Sequence, residues 1–220
     1  MRLLDLLLPE RCAVCSRPGA TLCAACRGRL VRLVPPVCER CGAPCPWPVQ
    51  RCAECAGRKL AFARARAAVV YDEHAKLLVR AWKERGLRTL AEDAADLVLE
   101  IVARPEAEGL VPVPPDPERA LERGVVPPRG LAEALAARWS LPVEDVLRRT
   151  GVLRPQRGLS LAERRRNVTG SVVASREAPR AACVVDDVYT SGATADACAR
   201  ALRRAGARRV EVVTLARAVR

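Results

Sequence analysis

Apolar and polar positions divide this chain into two unlike parts. From residue 60 onward, short apolar runs alternate with stretches in which apolar residues recur every three or four positions. Ala67 to Tyr71, Leu110 to Val113, Val143 to Leu147, Ser171 to Ala174, Ala181 to Val185 and Arg208 to Leu215 read as strands. His74 to Glu84, Leu90 to Val102 and Leu131 to Trp139 read as helices, as does the stretch carrying Ala197, Ala201, Leu202 and Ala205 on one face before Gly206. An unbroken apolar run such as Ala181 to Val185 marks a strand covered on both faces, the pattern of a parallel sheet. Pro112, Pro114 and Pro115 end the second strand in a rigid loop, because proline cannot donate to a central ladder. The expected fold class is therefore α/β with a parallel sheet, over residues 61–220, with Leu60 to Arg66 as the linker into it.

Residues 1–60 lack that periodicity and hold nine of the eleven cysteines. Eight of the nine form four Cys-x-x-Cys pairs: Cys12/Cys15, Cys23/Cys26, Cys38/Cys41 and Cys52/Cys55. A pair at this spacing presents two thiolates to one tetrahedral ion, and two pairs close a Cys₄ site with no open position for water. The reading is a zinc-stapled module holding one or two structural ions, and the simplest pairing joins first with second and third with fourth. Cys45 stands outside the pairs, and Cys183 and Cys198, inside a strand and a helix, read as packing residues.

Half the residues are apolar and only 3% aromatic, so the core rests on Ala, Leu and Val. A formal charge of +13 favours anionic partners such as nucleic acid or nucleotide phosphates, although solvated surface charge accounts for such an excess equally well. The most cationic stretch, Arg148 to Asn167, carries Arg148, Arg149, Arg154, Arg157, Arg164, Arg165 and Arg166 against the single acid Glu163. With Gly151, Pro155 and Gly158 it reads as a loop suited to closing over phosphates. No apolar run approaches 18 residues, so a cytoplasmic chain is expected. Met1 to Leu8 reads as a short docking helix, with contact at a membrane surface as a lesser reading. The lone histidine, His74, reads as a helix-start residue.

The strongest chemical signal is Ala181 to Gly206. An apolar strand runs into Asp186 and Asp187, then into Thr190, Ser191, Gly192, Ala193 and Thr194, then into a helix. A helix start aims free N–H groups and a positive dipole end at the loop, which suits a phosphate. Gly192 permits close backbone approach and the hydroxyls add donors. Two adjacent carboxylates can accept from vicinal ribose hydroxyls or hold magnesium through water. A ribose 5′-phosphate is the ligand this arrangement suggests.

VVDDVYTSGAT resembles the phosphoribosyl pyrophosphate (PRPP) signature of type I phosphoribosyltransferases, with Ser191 in place of the usual second Thr. Taken with the knuckles, the whole chain resembles the ComF family, competence-associated phosphoribosyltransferase-like proteins with an N-terminal double zinc ribbon. LLDLLLPERCAVC is similar to the family's start, Trp82-Lys83 with Gly86 to its Lys segment, and Val111 to Pro114 to its first core strand. Arg123-Gly124 matches the start of Arg-Gly-Phe-Asn-Gln, but Val125, Val126 and Pro127 replace the remainder; Gln156, Ser160, Arg164 and Asn167 match a later segment.

The resemblance implies a double zinc ribbon over 1–60, PRPP and Mg²⁺ at residues 186–194, and catalytic roles for Lys83, Arg123, Gln156, Arg164 and Asn167. It also implies handling of single-stranded DNA in natural transformation at the cytoplasmic side of the inner membrane, with a helicase-like ATPase partner. No Gly-x-x-x-x-Gly-Lys-Ser/Thr loop occurs, so the motor is expected elsewhere. Turnover of PRPP, a non-catalytic sensing or DNA-binding platform, and nucleobase salvage remain three distinct expectations.

Overall fold

A computed structural model of the chain describes residues 10–87, 89–116, 125–150 and 172–219. Its elements in chain order are α1 (Ala24–Arg29), β1 (Arg64–Val70), α2 (Glu73–Arg85), α3 (Leu90–Ile101), β2 (Gly109–Pro112), α4 (Pro127–Trp139), β3 (Leu147–Arg149), β4 (Val172–Ala174), β5 (Ala181–Tyr189), α5 (Ala193–Arg204) and β6 (Arg209–Arg217). Four strands form a parallel sheet in the order β1-β6-β5-β2. β3 and β4 pair antiparallel beside it. The α/β expectation therefore holds.

Local chemistry explains where the elements start and stop. Asp72 caps α2 by accepting from the Ala75 N–H at 2.9 Å, and Gly86 ends the helix with φ 62°. α4 begins four residues before the periodic run, because Pro127 and Pro128 suit a first turn whose N–H groups have no helical partner. Val143 makes only a bridge to Leu110, and the strand forms later, at Leu147–Arg149. Pro142 has no N–H with which to extend a ladder. β1 starts at Arg64, inside the stretch expected to be a linker; Arg64 and Arg66 alternate with Ala65 and Ala67 in a period-2 pattern.

The sheet sorts its side chains into two cores by that alternation. Cys183 and Val185 of β5 join Val213 and Leu215 of β6 on the face covered by α2, α3 and α4. Ala182 and Val184 join Val210 and Val212 on the face covered by α5. Each cluster also contains cysteines of the N-terminal module: Cys12 and Cys26 in the first, Cys38, Cys41 and Cys55 in the second. The two ribbons thus pack on opposite faces of the sheet. The chain between them covers the sheet's edge, with Leu33 N–H bonded to Ala68 and Val70 N–H to Val31 at 2.9 and 2.8 Å. Cys183 and Cys198 are fully buried packing residues, as expected. No helix among the described residues is long and apolar enough to cross a membrane.

Candidate functional site: an acidic strand end above two cysteine centres

Each cysteine pair closes a tight turn. Ser16, Gly42 and Ala56 donate their N–H groups to Cys12, Cys38 and Cys52 carbonyls at 2.8–2.9 Å, and α1 does the same between Arg27 and Cys23. Gly42 carries φ 70°, and a Cβ there would stand 2.6 Å from the Ala65 carbonyl, so only glycine lets this knuckle sit on β1. Two groups of four sulfurs result, Cys12/Cys15/Cys23/Cys26 and Cys38/Cys41/Cys52/Cys55, each with its ligand atoms within 4.8 Å of one another. The pairing is the sequential one.

The spacing fits zinc. Four thiolates about 2.3 Å from a tetrahedral ion stand about 3.8 Å apart. The Cys15–Cys23, Cys38–Cys55 and Cys41–Cys52 sulfurs are 3.7, 3.6 and 3.5 Å apart. Burial opposes ionisation of Cys12 and Cys38, yet backbone N–H groups aimed at each sulfur hold them down, to about 6 and about 7, whereas burial pushes Cys26, Cys41 and Cys55 up. Cys45 belongs to neither group and bonds the Ala43 carbonyl at 3.4 Å.

At the carboxyl end of the sheet, β5 does not stop at its apolar run. It carries both acids inside the ladder and continues to Tyr189, with Asp186 paired to Thr214 and Val188 to Ala216 of β6. Asp186 Oδ1 accepts the Asp187 N–H at 2.9 Å, and Asp187 Oδ1 accepts the Val188 N–H at 3.0 Å. After the acids the alternation slips by one: Val188 packs with the first cluster and Tyr189 lies in the second.

Lys83, near the end of α2, forms an ion pair with the buried Asp187 carboxylate. Burial works against the Lys83 charge, but Asp187 and then Asp186 raise its pKa overall. Asp186 is pushed well above the usual carboxylate range by burial and by the adjacent Asp187 charge. A carboxylate in that position gains from hydroxyl donors or a cation brought to it.

Thr190 to Thr194 turn from the strand into α5. Gly192 is the N-cap, with φ 71° and buried, and Ser191 Oγ accepts the Ala193 N–H at 3.3 Å. Of the expected site residues, Lys83, Asp186, Asp187 and the loop Thr190, Ser191, Gly192, Ala193 and Thr194 belong to this strand end. Arg123, Gln156, Arg164 and Asn167 lie outside the described residues, as do Met1 to Leu8 and most of the cationic stretch from Arg154 onward.

A second feature, missed in the sequence, is a cationic groove of about 620 Å³ between the second ribbon and β1. Arg40, Arg51, Arg64 and Arg66 line it with Gln50 and the single acid Glu39. Burial and then the neighbouring Arg64 lower the Arg66 pKa. The arginines come from three separate stretches, so no run of charge announces them.

These parts define a class: a double zinc ribbon joined to a parallel α/β domain. Residues 3–56 match the family model described as a double zinc ribbon domain. Over 209 residues, 90% of each chain, the protein is 26% identical to competence protein F of Haemophilus influenzae. The ComF-family resemblance carried by the motifs is met by both findings. Among solved structures, one described as the allosteric regulatory enzyme of purine biosynthesis is 26% identical, with a TM-score of 0.37 over 58% of this chain and 25% of that one. Another, TT1426 of Thermus thermophilus, is 19% identical, with a TM-score of 0.31 over 61% of this chain and 83% of that one. This chain thus spans about a quarter of the length of the first of these structures.

Proposed function

We propose that this is a competence-associated, phosphoribosyltransferase-like protein that binds PRPP at residues 186–194 and single-stranded DNA on its cationic groove during DNA uptake. The carrying observation is the strand end itself: two carboxylates, one paired to Lys83, directly before a glycine-capped helix start. The N–H groups of the first turn of α5, with the Thr190, Ser191 and Thr194 hydroxyls, suit the 5′-phosphate. Asp186 and Asp187 suit the ribose hydroxyls as hydrogen-bond acceptors. Asp186 would help hold Mg²⁺, which would supply charge neutralisation for the departing pyrophosphate. Lys83 fixes the Asp187 carboxylate in place and adds positive charge close to the sugar.

Pyrophosphate release from Mg-PRPP, measured with a panel of nucleobases and single-stranded DNA as acceptors, tests turnover. Release abolished by Asp186→Asn with Asp187→Asn supports an enzyme. PRPP binding without release for any acceptor leaves a ligand-gated platform. No PRPP binding by the wild-type chain removes the loop assignment.

The DNA part rests on the four-arginine groove and on Trp47, 65% exposed on the same ribbon. A groove that neutralises phosphates loses affinity steeply as salt rises. Replacing both Arg51 and Arg64 with Gln is expected to weaken binding of an oligothymidylate and flatten its salt dependence. An unchanged slope would move the DNA elsewhere on the surface.

A further inference from the structure

The phosphate loop and the second cysteine centre are joined by one buried side chain. Arg217 ends β6 and is 1% exposed. One guanidinium nitrogen donates to the Cys41 carbonyl at 2.8 Å. The second terminal nitrogen, Nη2, reaches Glu54 at 2.9 Å and the Cys41 sulfur at 3.7 Å. Cys41 is a ligand of the second group, and Glu54 lies between its last two, Cys52 and Cys55.

The same guanidinium lies over the Tyr189 ring, 4.6 Å from its centre. Phe62 meets that ring edge-on with centres 6.3 Å apart. Tyr189 in turn supports the loop: a Cβ on Gly192 would fall 2.2 Å from its hydroxyl. The backbone repeats the linkage, with Ala218 N–H bonded to the Tyr189 carbonyl at 2.9 Å.

We propose that Arg217 is a positioning residue: it transmits the order of the Cys38/Cys41/Cys52/Cys55 centre through Tyr189 to the phosphate loop, so that metal at this centre and phosphate at the loop favour one another. A metal ion fixes the Cys41 knuckle, and with it both the carbonyl and the carboxylate that hold the guanidinium. The guanidinium holds the aromatic ring, whose hydroxyl end meets Gly192. Arginine suits the task because its planar fork bonds two groups at its edge while its face stacks on a ring. The first cysteine group has no such link among the described residues; its ties run to α3, through Thr21–Asp93 and through Arg27 and Arg32 to Glu100. The inference rests on the reading of residues 190–194 as the PRPP phosphate site.

Linkage makes the coupling reciprocal: whatever metal at the second centre does for PRPP, PRPP must do for that metal. Two measurements on the full-length, zinc-loaded chain test this. Calorimetric titration with Mg-PRPP should show Arg217→Met binding at least tenfold more weakly than wild type, with Arg217→Lys falling between. Chelator-driven zinc release should be biphasic, and Mg-PRPP should slow one phase several-fold in the wild type but not in Arg217→Met. Glu54→Gln, which removes one anchor of the guanidinium at a partly exposed position, should weaken PRPP binding in the same direction. It decides the question if Arg217→Met does not fold.

Weaker PRPP binding with zinc release indifferent to PRPP would assign Arg217 a packing role and overturn the coupling. So would Arg217→Met and Glu54→Gln both binding within twofold of wild type. A wild-type chain that does not bind Mg-PRPP would overturn the loop reading beneath it.

Discussion

The two ribbons share the Cys-x-x-Cys knuckle, with seven residues between the knuckles in the first and ten in the second, and they are attached to the sheet by different chemistry. The first lies on the α2–α4 face and is held by partly exposed charge pairs, Arg27 and Arg32 on Glu100. The second lies on the α5 face and is held by a buried arginine that also touches the loop's aromatic floor. Each face nevertheless delivers one part of the same strand end. Lys83 comes from the first face and pairs with Asp187, whereas Tyr189 and Gly192 belong to the second. Two modules built from the same Cys-x-x-Cys knuckle can therefore staple one face of a sheet and, on the other face, reach the loop that follows the acidic strand.

The sharpest way to break this comparison is to remove one ligand from each centre. Cys15→Ser and Cys41→Ser should each lower the zinc content by one ion, as metal analysis would read. Their costs should differ. Cys15 is exposed, whereas Cys41 is 2% exposed and its carbonyl holds Arg217. Cys41→Ser should cost on the order of 5 kcal/mol or more in urea unfolding, since lost metal and an unanchored buried cation act together. Equal losses from the two variants would make the ribbons equivalent staples.

Lys83→Met probes the contribution of the first face. It leaves Asp187, with its side chain 8% exposed, without its cation. Breaking a buried pair costs about 3–5 kcal/mol, and the Lys83 side chain at 34% exposure brings the expected loss to about 2–4 kcal/mol. Asp187→Asn in the Lys83→Met background should recover much of it. A Lys83→Met protein as stable as wild type would mean that Asp187 is served by water instead of by α2.

Spacing made the cysteine centres legible, because a Cys-x-x-Cys turn needs no distant partner to define its shape. The acids and the loop were legible for the same reason: strand, turn and helix start are contiguous. What escaped was long-range. Arg217 ends the buried strand segment Val210 to Ala216, which carries Glu211 and Thr214 among its apolar residues, and reads locally as a strand terminus, while its partners Cys41 and Glu54 lie more than 160 residues upstream. Arg64 and Arg66 read as linker in the sequence because charge masks the period-2 pattern that marks β1, and Glu211, buried beside Arg64, explains how that charge is tolerated. The extension of β5 past its acids rests on its pairing with β6, Asp186 with Thr214 and Val188 with Ala216, which local apolar content does not report.

Asp186 offers a test in which function and stability oppose each other. Its folded-state pKa is raised by burial and by Asp187, so the folded chain holds this proton to higher pH than the unfolded chain does. At low pH both states are protonated and Asp186→Asn should be neutral. As pH rises through the unfolded carboxylate range near 4, wild type should lose stability relative to the variant, until the folded-state group ionises as well. At pH 7 Asp186→Asn should be more stable by about 1–2 kcal/mol while binding PRPP more weakly. A variant that is no more stable at neutral pH would show that the ion pair beside it already neutralises the site.

The smallest effect is expected where the first ribbon meets α3. Glu100 accepts from Arg27 at 2.5 Å and from Arg32 at 2.9 Å, with its own side chain 36% exposed. Partial burial raises its pKa, but the two guanidiniums outweigh that and lower it overall. Stability from a lowered carboxylate is present above the unfolded value and is lost as pH falls through the folded one. Glu100→Gln should therefore cost about 1 kcal/mol at pH 7, shrinking toward zero in acid below the usual carboxylate range, with added salt reducing it further. Hydrogen exchange should localise the change to residues 10–33 and α3 and leave the second ribbon untouched. Faster exchange spreading to Gly192 would tie the first ribbon to the loop as well, and the asymmetry between the two centres would be lost.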